Sequence, residues 1–426
     1  MAAVFASAGH HVLGLDVNRT LVAGLEAGQA MVEEPQLQEL IDRNRERLHA
    51  TTDYRRISAE SDVTFIIVPT PSGPDGIFSN DYVIDAIQKL GAALDSKSGY
   101  HVVVVTSTVI PGSMDGPIRH ALETASKKSV GSELGLCYNP EFIALGSVVE
   151  NMLFPDFLLI GESDERAGSI VEHVYDSVCP KHPPVRRMNF VNAELAKISV
   201  NTFVTTKISY ANMLADMCER LPGADVDVVA AAIGSDTRIG RKYLRGAVAY
   251  GGPCFPRDNV AFTALAAKIG ARADIAKATD AINNYQSDRL LRAVRAQAPP
   301  KAKVAVLGMS YKPDTPVAEA SQGVNLAKQL IAEGYEVIVH DPSANAAATT
   351  LGPSIVVAGS AEDALRAADI AVIVTPWPQY AKLSDISLSR SLPVIDCWRI
   401  LSREISGSLR PIWLGYGERA TISSGT

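Results

Sequence analysis

"NAELAKISVNTFVTTKISYANMLADMCERL", residues 192–221, runs for thirty residues without a glycine or a proline. With no breaker in it, the stretch predicts one helix, roughly 45 Å long at 1.5 Å per residue. Its two flanks resemble each other. Upstream lie the β-rich runs "HVLGLDV" (11–17), "DVTFIIVPT" (62–70), "HVVVVTST" (101–108), "LGLCYNPE" (134–141) and "FLLIGE" (157–162), separated by helical stretches. Downstream the pattern resumes with "KVAVLGMS" (303–310), "EVIVHDP" (336–342), "IAVIVTP" (370–376) and "PVIDCW" (393–398). Such alternation predicts a parallel sheet covered by helices on both faces, and two series predict two of them. The fold expected is α/β, with two Rossmann-like doubly wound domains joined by a long central helix. The boundaries read as 1–185, a central helical part at 186–290, and 291–426.

Composition narrows the function classes. The 426 residues, 47% hydrophobic and 20% charged, suit two or three globular domains. A formal net charge of −7 with scattered Lys and Arg leaves no basic field, so no nucleic-acid partner is expected. No apolar run reaches the length of a membrane span, and the opening "MAAVFASAGHHVLGL" lacks the positive n-region of an export signal. No membrane association and a cytoplasmic location are therefore expected. Five cysteines, at 137, 179, 218, 254 and 397, are odd in number and widely spaced, which argues against a disulfide framework and a zinc site. The eight histidines show no ligand spacing either, so no metal is expected.

One cysteine has an unusual setting. In "YGGPCFPRD" (250–258), Cys254 follows two glycines and sits between Pro253 and Pro256. Glycine allows close backbone approach, proline fixes φ, and "RDNVAFTALAAKIG" (257–270) has the apolar spacing of a helix ending at Gly270. Cys254 is thus expected just ahead of a helix N-terminus, where the helix end favours thiolate, the form that attacks carbon. A turn that merely contains a cysteine is the alternative reading of this stretch alone.

The first domain carries part of a dinucleotide signal. The run 11–17 ends in Asp16, and an acid at the end of the second strand of a Rossmann unit takes the adenosine ribose hydroxyls. The expected first strand and G-x-G-x-x-G loop do not precede it, so the first domain reads as N-terminally truncated. The natural protein is expected to start about 20 residues earlier, with that strand and loop, or else this chain is expected to bind NAD poorly.

Several motifs together carry a family resemblance. "AVFASAGHHVLGLDVN" (3–18), "VPTP" (68–71), "STVIPG" (107–112), "YNPEFIALGS" (138–147), "AELAKISVNTFVTTKISYANMLADMCE" (193–219), "RIG" (238–240), "AYGGPCFPRD" (249–258), "YKPDT" (311–315) and "DCWRIL" (396–401) resemble, in order, the UDP-glucose/GDP-mannose (nucleotide-sugar) 6-dehydrogenases. Phe255-Pro256-Arg257-Asp258 after the cysteine is nearest the UDP-glucose branch. The resemblance implies a four-electron, NAD-dependent oxidation of UDP-glucose to UDP-glucuronate, with Cys254 as nucleophile in a thiohemiacetal and then a thioester.

It also implies the other roles. Lys197 and Asn201, four apart on the long helix and so on one face, stabilise a developing alkoxide. Asp258 holds or activates water, Glu141 acts as acid or base in thioester hydrolysis, and Thr108 positions water or cofactor. Asp16, Thr70, Pro71, Ser107, Thr108 and Arg257 belong to the NAD side. Glu141, Phe142, Lys197, Asn201, Tyr250, Gly251, Lys312 and Arg399 belong to the UDP-sugar side. Arg238 matches an arginine that reaches the sugar from a neighbouring subunit, so a homodimer is implied. Departures from the family pattern at Glu319, Leu145, Pro253 and Arg257 leave open another UDP-hexose, of N-acetylhexosamine type, or a nucleotide-sugar-binding relic unable to hold NAD.

Overall fold

The computed structural model describes residues 1–352, 355–405 and 407–418. The chain divides into two compact units, Met1–Val200 with two sheets and Asn201–Thr426 with one, each with its own cores.

In the first unit β1 (Val12–Leu15) and β2 (Leu48–Thr51) form a parallel pair. A second sheet runs in the order β3 (Val63–Ile66), β4 (His101–Val105), β5 (Leu134–Tyr138), β6 (Leu158–Glu162), β7 (Val185–Met188). Among the described residues β1 pairs only with β2, and β3 only with β4. The valines of β4 explain why the second sheet is covered on both faces. Val103 and Val105 enter a core with Ile87, Leu90 and Leu122, while Val102 and Val104 enter another with Phe5, Val171 and Tyr175. One strand departs from the expected parallel order, since β6 runs antiparallel to β5. The helix between them, Val148–Leu153, has six residues and spans about 9 Å. It is the one helix in the connection from Tyr138 to Leu158, which otherwise has neither helix nor strand.

The long helix expected at 192–221 runs Phe190–Glu219. Three further helices, Val226–Gly234, Phe255–Lys268 and Asp274–Arg295, precede the second unit's sheet. Its strands are β8 (Lys303–Leu307), β9 (Glu336–His340), β10 (Val356–Val357), β11 (Ile370–Ile373), β12 (Leu392–Asp396) and β13 (Leu409–Trp413). They pair in parallel in the order β10-β9-β8-β11-β12-β13. Chain direction across the sheet reverses between β8 and β11, the crevice where open α/β sheets take ligands. Alternation again fills two cores, Val304, Val306, Val337 and Val339 with Leu330 on one face, and Ala305, Leu307 and Ile338 with Leu365 and Tyr380 on the other. No helix among the described residues is long and apolar enough to cross a membrane.

Candidate active site

Cys254 is the N-cap residue of the helix Phe255–Lys268, with Pro256 in its first turn, where a missing N–H costs nothing. Cys254 is exposed, whereas Cys137, Cys179, Cys218 and Cys397 are buried. The glycines before it are there for space. A Cβ on Gly251 would lie 2.3 Å from the carbonyl oxygen of Ala320, and one on Gly252, whose φ is +87°, would lie 2.6 Å from the ring of Tyr311. Gly252 N–H donates to the Glu319 carbonyl at 2.9 Å, so the cysteine loop lies backbone to backbone against residues 319–320. The Tyr311 phenol is pushed up to about 12 by burial first and by Cys254 and Tyr243 second, which keeps it protonated.

Four residues on, Asp258 is 2% exposed and accepts from Asn201 Nδ2 at 2.6 Å. Arg257 Nε stands 3.9 Å from its other oxygen. Asn201, Asp258 and Arg257 are therefore brought together at the start of the cysteine helix. Tyr250 donates to Asp280 at 3.1 Å, and burial, then Asp280, pushes its phenol up. The Lys312 ammonium lies 6.0 Å from the Tyr311 ring centre, on the loop that Gly252 touches. Two arginines are engaged elsewhere. Arg238 is 86% exposed and folds onto Asp236 within its own turn. The Arg399 side chain is only 1% exposed; it donates to both Asp227 oxygens, at 2.7 and 2.8 Å, and to the carbonyls of Leu414 and Gly246.

The turn after β8 is closed by a residue the sequence did not single out. Asp341, fully buried at the end of β9, accepts from the N–H groups of Met309, Ser310, Ser343 and Ala344 and from Trp377 Nε1. Burial pushes its carboxyl up, but these donors outweigh that and hold it below the ordinary carboxylate value. An acid at this register takes a ribose in a dinucleotide unit. Here it is consumed by its own loop.

In the first unit, Lys197 is 6% exposed; its ammonium donates to the main-chain carbonyl of Glu141 and lies 4.6 Å from the centre of the Phe142 ring. Burial pushes the Glu141 carboxyl up, opposed by Lys197. Ser107 Oγ donates to the Val68 carbonyl and accepts from Val68 N–H, at 2.7 and 2.8 Å, which ties the turn holding Thr70 and Pro71 to the end of β4. Thr108 follows it, half-buried. Asp16, at the end of β1, accepts from Asn18 N–H at 2.7 Å. Glu194, which sequence reasoning passed over, is fully buried and accepts from Gly112 and Met114 N–H, both at 2.7 Å. The one signal for it was position, an acid on the same helix face as Lys197 and Asn201, at i, i+3 and i+7.

Three models of one family match in succession: the NAD binding domain of the UDP-glucose/GDP-mannose dehydrogenase family over residues 1–179, its central domain over 191–285 and its UDP binding domain over 305–403. The chain belongs to the UDP-glucose/GDP-mannose dehydrogenase family. UDP-glucose 6-dehydrogenase AglM of Haloferax volcanii is 37% identical over 408 residues, 95% of this chain and 94% of that protein. A UDP-glucose 6-dehydrogenase of Rhizobium meliloti is 34% identical, over 89% of this chain and 87% of its own. Among solved structures, a UDP-glucose dehydrogenase from Pyrobaculum islandicum superposes with a TM-score of 0.87 at 34% identity, covering 97% of this chain and 94% of that one. As a UDP-glucose/GDP-mannose dehydrogenase, the protein uses NAD, and its first unit has residues suited to it. Among the described residues the Asp16 carboxylate enters no ion pair and suits ribose hydroxyls, while Val17 and Ile67, just past β1 and β3, are 75% and 56% exposed, apolar surface that suits an aromatic ring.

Proposed function

We propose that the protein oxidises the C6 alcohol of UDP-glucose to the carboxylate through a thioester on Cys254. The observation that carries this reading is the setting of that thiol, exposed at the N-cap of a 14-residue helix while the other four cysteines are buried. NAD⁺, when bound, accepts a hydride in each of two oxidations; Asp16, Thr70, Pro71, Ser107, Thr108 and Arg257 would hold it. Lys197 and Asn201 stabilise negative charge on the C6 oxygen. The Cys254 thiolate adds to the C6 aldehyde, the carbonyl π pair moves to oxygen, and the thiohemiacetal so formed again carries a hydrogen that can leave as hydride. Water then adds to the thioester, the C–S bond breaks, and thiolate and acid result. Asp258 and Thr108 hold that water. Glu141, its carboxyl raised by burial, exchanges the proton.

Phe142, Tyr250, Gly251 and Lys312 contribute to the UDP-sugar site in this reading. Arg399 serves it from inside the fold, by holding the turns at Leu414 and Gly246. Three functional parts, 1–185, 186–290 and 291–426, correspond to cofactor, helical core with the thiol, and nucleotide. A homodimer in which Arg238 reaches the partner's sugar belongs to the same reading. Its support is an apolar stripe on the long helix, where Phe203, Tyr210, Met213 and Met217 are 67%, 48%, 37% and 51% exposed at i, i+7, i+10 and i+14. Free thiols and a nucleotide-sugar substrate agree with a cytoplasmic location.

The expected stoichiometry is two NADH per UDP-glucose, with acid formation abolished in Cys254→Ala. Counting NADH against UDP-glucuronate checks it. One NADH with free aldehyde released would overturn the covalent route, and turnover of GDP-mannose or a UDP-N-acetylhexosamine in preference to UDP-glucose would move the substrate.

A further inference from the structure

The segment 246–252 leads directly to Cys254, lies outside helix and strand, and is buried at every position from Gly246 to Tyr250. Buried main-chain N–H and C=O groups need partners. Side chains supply them here. Asn212, on the long helix and fully buried, accepts from Ala247 N–H at 2.7 Å and donates to the Val248 carbonyl at 2.9 Å. Asn283, on the helix Asp274–Arg295, accepts from Tyr250 N–H at 2.8 Å and donates to the Tyr250 carbonyl at 3.2 Å. Arg289 meets the Ala247 carbonyl at 3.3 Å and Arg399 the Gly246 carbonyl at 2.8 Å.

Each asparagine therefore does what a neighbouring strand does, offering one acceptor and one donor to the backbone. A water-bonded loop samples many conformations. A loop with two amide clamps, each on a separate helix and spaced three residues apart, has its path fixed before any ligand arrives. The clamped stretch ends at Tyr250, four residues from the thiol, and the residues between are Gly251 and Gly252, pinned against Ala320 and Tyr311, and Pro253.

We propose that Asn212 and Asn283 are positioning residues that set the place of the Cys254 thiol by pairing with the backbone of residues 247–250. The proposal rests on Cys254 being the nucleophile for its meaning in turnover, but not for its test. Asn283→Ala should change the rate of Cys254 alkylation by iodoacetamide, in the full chain without substrate or cofactor, by about threefold or more. The buried cysteines 137, 179, 218 and 397 should stay protected in the same digest. In turnover, kcat should fall by about tenfold to a hundredfold with KM for sugar nucleotide and NAD⁺ changed by about twofold at most, the mark of a displaced reacting group. Should Asn283→Ala not fold, Asn212→Ala repeats the test from the other clamp. An unchanged Cys254 alkylation rate in a folded variant overturns the proposal whatever kcat does. Alkylation of all five cysteines rising together overturns it as well, since the asparagine would then hold the fold and not the thiol. If Cys254→Ala retains full turnover, it is the functional reading that fails, and altered alkylation would still establish the clamp.

Discussion

Asn201 donates to Asp258, four residues after the thiol, across 2.6 Å from amide nitrogen to carboxylate oxygen. Asn201→Asp replaces that donor with an acceptor, and two carboxylates so close cannot both ionise. One proton is then shared, the carboxylate near Cys254 is neutralised, and kcat at pH 7 should fall by about a hundredfold with an alkaline shift of its pH profile. An unshifted profile would remove the Asp258 carboxylate from the chemistry. A second residue governs acid stability. His101, fully buried at the start of β4, bonds Thr64 Oγ1 at 2.9 Å, and burial first, then Lys97, lowers its imidazolium from 6.5 to about 4. Between those values the unfolded chain binds a proton that the folded chain refuses. Stability should thus be full above about pH 6.5 and fall by about 3 kcal/mol as pH drops to 4. Urea unfolding of the protein and of His101→Gln across that window checks this, the variant showing the shallower slope. Cys254 was legible because glycine and proline speak locally, whereas His101, Glu194, Asn212, Asn283 and Asp341 act through partners distant in sequence.

Strands with several apolar residues in a row, such as β4 and β8, read easily, because burial on both faces leaves no polar interruption. Four were missed, the two-residue β10 and three that each break that pattern. β2 (LHAT) and β7 (VRRM) are four residues long, with an exposed side chain inside, and β13 (LRPIW) contains Pro411, tolerated because β13 closes the edge of its sheet. The antiparallel step at β6 was hidden because strand composition carries no signal of strand direction. The long helix was read nearly end to end, and it holds more than its own length suggests. Glu194 on it takes the N–H groups of Gly112 and Met114, the turn that follows Ser107 and Thr108. Glu194→Gln keeps one acceptor and sets an NH₂ against the other N–H, so it should destabilise the protein by about 2 kcal/mol. Amide exchange should rise at residues 112–114 and not in β4. Equal exchange in the turn would show that Glu194 does not hold it.

At the scale of the whole molecule, the α/β class and the order of its parts were visible in sequence, because alternating β-rich and helical runs survive any detail of packing. Subunit exchange tests the homodimer directly. Arg238→Ala and Cys254→Ala proteins, each inactive, should regain part of their activity when mixed, since some mixed dimers would hold one complete site. Absence of recovery, with exchange demonstrated by mass labelling, would confine Arg238 to its own subunit or to no site. The distribution of sulfur has another consequence for the living cell. Four thiols are sealed in cores and one stands at the surface, where the positive end of a helix favours its reactive form. On the proposed thioester route, peroxide would meet Cys254 first, and the sulfenic acid formed could not add to an aldehyde until a reductant restored it. By that route the enzyme would stop under oxidative stress long before it unfolds, and its output would follow the redox poise of its compartment.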